Sequence, residues 1–253
     1  MKILSKQLAA GANYGGAMEA DTISKNGRSL KSRMSRGNVF KFMAVLLVVC
    51  FVYAGCNKDD DKPSSGSIDK ITAKVENGSN YDGQITKVQL VAWNNSTNKY
   101  VMIAEGTWSN GGFTIDLAGK TLSNDYLYKF DDGDMPSTVK ISNKDAKVCE
   151  DFRLVGVDED GDDVTDFYYY KEDTNSEAGA GYFYVDSDVT ITGTEKHSEE
   201  DWESTSTIKL NLKKGWNVTY YSGSCKESGS KEVCTSTWTT NSVGGLKWHA
   251  EEW

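Results

Sequence analysis

The sequence predicts an all-β domain, an antiparallel β-sandwich with little helix. Three observations predict it. Gly, Asn, Asp, Ser and Thr are abundant while only two prolines occur, and aromatic and β-branched residues fill the segments between them, a composition suited to short strands joined by tight turns. From about residue 68 the apolar residues alternate with polar ones, and no long stretch has helical periodicity. Turn signals recur between the alternating segments.

The elements follow in order. Ile71, Ala73 and Val75 alternate with Thr72, Lys74 and Glu76, and Asn77-Gly78 turns the chain. A longer strand runs from Ile85 to Trp93, a polar turn occupies Asn94 to Asn98, and Tyr100 to Ala104 return as the second arm of a hairpin. Asn110-Gly111-Gly112 precedes a strand from Phe113 to Leu117. Further strands are expected at 126–130, 137–142, 148–157, 164–171, 181–185, 187–193, 205–212, 215–222, 232–240 and 245–249. Asp145 to Glu150 has room for one helical turn. Strands at this spacing fit one extended sandwich of Ig-like or related type over 68–253; two small β domains with a boundary near 131–145 are the alternative.

The first 55 residues differ from the rest. They carry eight basic and two acidic residues, which leaves 20 basic and 35 acidic residues from Cys56 onward. Such a domain repels phosphate backbones, so nucleic acid is not an expected partner. Thirteen uncharged residues from Phe42 to Ala54, with Arg36 and Lys41 before them, are too few to span a bilayer, which takes about 20. They suit the apolar core of a signal peptide. Small residues Ala54 and Gly55 precede Cys56, as a signal peptidase requires. Val52-Tyr53-Ala54-Gly55-Cys56 resembles a bacterial lipobox, with Tyr53 where Leu is usual, and Asn57-Lys58-Asp59-Asp60-Asp61 resembles the acidic run of surface-exposed lipoproteins of the Bacteroidota. The resemblance implies lipid on Cys56, attachment to the outer membrane facing outward (the periplasmic face is the alternative), and nothing about the domain behind it. Each buried CH₂ adds about 0.8 kcal/mol, so two or three acyl chains hold a protein on a membrane. Residues 34–55 are then the signal peptide and 56–67 a hydrated tether. Residues 1–33 exceed what a signal peptide needs and read as a mis-assigned extension, with Met34 the start.

Five cysteines remain to be placed. Cys50 lies in the apolar run and Cys56 is the anchor. Cys225 and Cys234 flank eight residues between two aromatic-rich segments; an oxidising compartment permits a disulfide near the open end of that hairpin, clamping its loop. Cys149 is then an unpaired, buried small apolar residue.

The sharpest motif is Asp158 to Asp166. Asp158, Asp160, Asp162 and Asp166 occupy positions 1, 3, 5 and 9, resembling the calcium loops of thrombospondin type 3 and dockerin repeats, and the resemblance implies Ca²⁺ on hard carboxylate oxygens. Position 12 is Tyr169 instead of Glu and position 6 is Asp163 instead of Gly. A plain hairpin turn is the favoured reading of the same residues. Asp131-Asp132-Gly133-Asp134 reads as a solvated turn. His197 and His249 have no zinc-ligand spacing, and no GxSxG, HExxH or P-loop pattern occurs. Exposed Trp202, Trp216, Trp238 or Trp248 suit stacking on sugar rings, although sandwich cores also take Trp. Phe167 to Tyr170 needs both faces of its strand covered or exposes a partner patch.

The expected function is that of a lipid-anchored, non-enzymatic surface protein that binds a glycan or a surface protein, adheres, or serves as scaffold. A lipid-anchored glycan-processing hydrolase with unassigned carboxylates and a fimbrial-type subunit that pairs strands with its neighbours are the alternatives. N-terminal sequencing of the precursor is expected to begin at Met34; a precursor beginning at Met1 contradicts that start.

Overall fold

The computed structural model describes residues 66–130 and 137–251. The extension 1–33, the signal segment 34–55, Cys56 and most of the tether lie outside the described residues, as does Asp131 to Asp134. The chain is nearly all β. Its strands are β1 (Gly66–Ser67), β2 (Lys70–Lys74), β3 (Lys87–Asn94), β4 (Lys99–Ser109), β5 (Gly112–Asp116), β6 (Tyr128–Lys129), β7 (Val139–Ile141) and β8 (Lys147–Cys149). They continue with β9 (Phe152–Val157), β10 (Asp163–Asp173), β11 (Ser176–Val185), β12 (Val189–Ser198), β13 (Trp202–Leu212), β14 (Gly215–Ser228), β15 (Lys231–Thr239) and β16 (Lys247–Glu251). A 3₁₀ turn over Gly78–Tyr81 is the one helical element among the described residues. Gly66 and Ser67, counted with the tether, already pair with Val218 and Asn217.

The strands form one large, open sheet in the order β2-β5-β4-β3-β9-β10-β11-β14-β15-β13-β12-β7, with β1, β6, β8 and β16 paired off this path. The isolated bridges Val75–Trp248 and Asp82–Ile85 are parallel, and every ladder between the strands is antiparallel except that of β13 with β15. That exception follows from a tight connection. β13 ends at Leu212 and β14 begins at Gly215, yet the two do not pair. β15 fills the gap between them at one end and β1 at the other. Asn217, wholly buried, holds the connection. Its side-chain amide donates to the carbonyls of Lys213 (2.7 Å) and Gly215 (2.9 Å), and its Oδ1 accepts from the Lys213 N–H (2.8 Å).

Alternation along β11 and β14 divides the core. Tyr182 and Tyr184 of β11, with Trp216, Val218 and Tyr220 of β14, face a large cluster that includes Val88, Leu90, Ile115 and Phe167. Phe183 and Val185 point the other way, into a second cluster with Val148, Val189, Ile191, Ile208, Leu210 and Leu212. The two strands are therefore covered on both sides over this stretch. In the larger cluster Phe113 and Phe167 (5.2 Å), Trp108 and Phe167 (5.3 Å), and Tyr169 and Trp248 (5.0 Å) form a connected aromatic group.

Several expectations need correction. The strand expected at 148–157 is two strands, β8 and β9, interrupted at Glu150-Asp151. Asp145 to Glu150 is no helical turn: Lys147–Cys149 is β8, and Val148 and Cys149 pair with Val185 and Tyr184. The strands β11 to β14 reach past the apolar segments used to place them. Thr194–Ser198 pair with Glu203–Thr207, and Cys225–Ser228 with Lys231–Cys234. These arms carry Ser, Thr, Glu and Lys on faces left open to water, so hydropathy does not mark them as strand although the ladder continues.

Replacing Asn217 with Ala removes the three hydrogen bonds that hold the connection, so denaturant unfolding is expected to show a loss of about 1–3 kcal/mol. A change within error contradicts the role given to the amide.

Candidate functional site

The long arms of β14 and β15 form a hairpin whose partners include Cys225 opposite Cys234. The two sulfurs are 2.08 Å apart and the Cα atoms 4.1 Å. That Cα spacing belongs to a non-hydrogen-bonded cross-strand pair, and the Cys225 N–H points away, to the carbonyl of Asn175 (3.1 Å). The bridge lies toward the turn and not near the open end expected from the sequence, because the strands run on past the cysteines through Lys226–Val233, Glu227–Glu232 and Ser228–Lys231.

Beside the disulfide is a shallow groove of about 240 Å³. The register explains who lines it. Residues directly opposite one another share a face. Glu172 of β10 faces Glu177 of β11, Glu177 faces Gly223 of β14, and Gly223 faces Ser236 of β15. Ser236 in turn faces Ser206 of β13, and their hydroxyls are 2.8 Å apart. Ser224 and Thr235, the next pair along, bond each other at 3.3 Å on the opposite face of the sheet.

Tyr221 is the aromatic of the groove. A Cβ on Gly223 would fall 2.4 Å from its hydroxyl and 3.0 Å from Cζ. The ring thus lies along the sheet over Gly223, in space that only glycine leaves open. Its hydroxyl bonds Glu177, and burial with that carboxylate beside it pushes the phenol well above its ordinary range. Trp238, the cross-strand partner, holds the ring from β15 at 5.0 Å. On the other side Tyr221 faces Gly179, which has no side chain to crowd it.

Cys225, Glu232 and Cys234 are the one group of three His, Cys, Asp or Glu ligand atoms gathered within 4.8 Å among the described residues. Two of these atoms are sulfurs bonded to each other. A disulfide lacks the thiolate charge that makes cysteine a metal ligand, so the group does not serve as one while the bridge is intact.

The four carboxylates of the calcium motif are occupied elsewhere or exposed. Asp158 Oδ1 accepts the N–H groups of Asp160 (3.0 Å) and Asp162 (2.9 Å), holding a turn with Gly161 at φ 88°. Asp166, on β10, is buried and takes both arms of Arg153 at 3.1 and 3.0 Å. Tyr100 lies 5.2 Å beneath that guanidinium. His197 bonds Glu199 at 3.1 Å, and the His249 ring lies 4.4 Å from that of Tyr170, tilted by 40°.

The tryptophans divide. Trp216 and Trp248 are 3% exposed and belong to the larger core, which removes them as surface platforms; Trp202 and Trp238 are half-buried. Phe167 and Tyr169 face that core, and Tyr168 and Tyr170 are half-buried on the other face. Tyr221 was not among the aromatics singled out. The signal that could have found it is Tyr221-Ser222-Gly223: a glycine two positions on leaves room for the ring on the same face of a strand.

No protein-family model matches the chain, and the comparisons with curated proteins and with solved structures also found no match.

Reducing the Cys225–Cys234 bridge is expected to cost roughly 2–3 kcal/mol by chain-entropy reasoning for so short a loop; denaturant unfolding with and without reductant measures it. Cys149 is buried, and burial pushes its thiol up to about 12. Its reactive thiolate is therefore scarce near pH 8, and iodoacetamide should label the Cys149 peptide only after unfolding. Rapid labelling of the native chain contradicts this. Because Asp166 is committed to Arg153, millimolar calcium should leave the melting temperature unchanged relative to chelator, since a specific site would raise it.

Proposed function

We propose that this chain is a lipid-anchored, surface-exposed outer-membrane protein whose β domain binds glycan, without catalysis, in the groove beside the Cys225–Cys234 bridge. One observation carries the ligand class: the Tyr221 ring laid over Gly223, on the same face of the sheet as the hydroxyls of Ser206 and Ser236. A flat, partly exposed aromatic face packs on the C–H face of a pyranose, and hydroxyl groups around it answer those of a sugar. The groove is smaller than the roughly 300–1,000 Å³ of pockets for drug-sized ligands, which suits one ring of a longer chain lying across the surface. The hydroxyls bond each other instead of a base, which suits holding a ligand.

The anchor rests on the sequence from Arg36 to Asp61: the apolar run, the lipobox-like residues ending in Cys56 and the acidic run after it. A disulfide in the domain agrees with export. The sandwich arrangement is part of the same reading, supported by the two cores on opposite faces of β11 and β14.

An array of neutral and amino-sugar oligosaccharides tests the ligand class. The full chain in detergent should bind a subset, and Tyr221→Ala should lose at least tenfold in affinity while keeping its melting temperature near that of the parent. Binding that ignores Tyr221, or no binding at all, overturns the proposal.

A further inference from the structure

The groove is charged in a way a neutral ligand does not need. Four carboxylates line it, from Glu172, Asp173, Glu177 and Glu232, and no Lys, Arg or His does. Their placement is unfavourable by itself. Glu172 stands directly opposite Glu177 across β10 and β11, and Glu232 directly opposite Glu227 across β15 and β14. Side chains so paired have Cβ atoms about 4.5–5.5 Å apart, and like charges there destabilise the sheet. Of the neighbouring cations, Lys231 bonds Glu203 at 2.8 Å and Lys247 bonds Glu76 at 3.2 Å, while Lys171 and Lys226 alternate onto the opposite face of the sheet. Two repulsive pairs flank the one aromatic ring laid flat in the groove. Departures from the local rules of sheet pairing are expected at functional or strained sites.

We infer that the groove selects a cationic amino sugar, a hexosamine unit with a free ammonium group, over its N-acetylated and neutral counterparts. The inference rests on the glycan reading above and narrows its ligand. Three features meet in one ring-sized space, and a hexosamine answers each. The pyranose C–H face packs on Tyr221. The ring hydroxyls exchange hydrogen bonds with Ser206 and Ser236. The ammonium sits among the carboxylates, where it relieves the Glu172–Glu177 repulsion and gains from the aromatic face as well. Acetylation removes the charge and leaves that repulsion in place. Gly223 and Glu177 are positioning residues: one leaves room for the ring, the other holds its hydroxyl.

Isothermal titration of the full chain in detergent, at pH 6 and low salt, decides the matter with four probes: a glucosamine tetramer, the N-acetylglucosamine tetramer, cellotetraose and tetralysine. The glucosamine tetramer is expected to bind at least tenfold tighter than either uncharged tetramer, and to weaken as salt screens the carboxylates and as pH rises and deprotonates the amine. Glu172→Gln should lose that preference while slightly raising the melting temperature of the unliganded protein, a gain that a purely structural role would not produce. Tyr221→Phe should retain most of the affinity and Tyr221→Ala should not. Equal binding of charged and uncharged tetramers overturns the inference and leaves the glycan reading standing. Tetralysine binding as tight as glucosamine, and unchanged in Tyr221→Ala, overturns it as a non-selective cation surface. Failure of every saccharide overturns both.

Discussion

The ladder between β11 and β14 is the constraint on which the rest depends. Ten residue pairs run without a break from Ser176–Ser224 to Val185–Gly215. Over its lower half both faces are buried, so the ladder is a wall shared by two cores. Tyr184 and Trp216 pack on one side, at 5.3 Å, and Phe183 and Val185 on the other. A slip of one residue would exchange the faces of every side chain at once, placing tyrosines where the smaller core has room for Phe183 and Val185. Register is therefore fixed by packing on two sides, more firmly than in a sheet with one wet face.

The groove inherits its geometry from that ladder. Its upper half supplies Glu177 and Gly179 from one strand and Tyr221 and Gly223 from the other. Once the lower half is locked, these four are locked opposite one another. The disulfide then ties β14 to β15 two residues beyond Gly223, which keeps the long polar arms paired where little apolar surface is buried to hold them. The arms are costly to order and poorly packed, and such segments commonly open locally. A covalent tie at their outer end is the simplest way to keep a binding surface in shape.

Much of this was legible in the sequence. Period-two alternation located most of the strands because each has one apolar face, as with Ile71, Ala73 and Val75. The cysteine pair was legible from its flanking aromatic segments. What hydropathy could not show was the length of the arms: Thr194–Ser198 and Cys225–Ser228 alternate in shape but not in polarity. It also could not tell core tryptophans from surface ones, since Trp216 and Trp248 differ from Trp238 only in what other strands bring against them. Nor could spacing reveal that Asp166 would be taken by Arg153, a partner 13 residues away that only the β9–β10 pairing brings near.

Native-state hydrogen exchange on the β11 and β14 amides tests the shared wall most directly. The account predicts that the amides of Tyr182–Val185 and Trp216–Tyr220 exchange only through global unfolding, with one common free energy and denaturant dependence for residues facing either core. Exchange of the Val189–Ile191 and Ile208–Leu212 region through a separate, lower-energy opening that leaves the β11–β14 amides protected would mean that the cores are independent. That result would contradict the account.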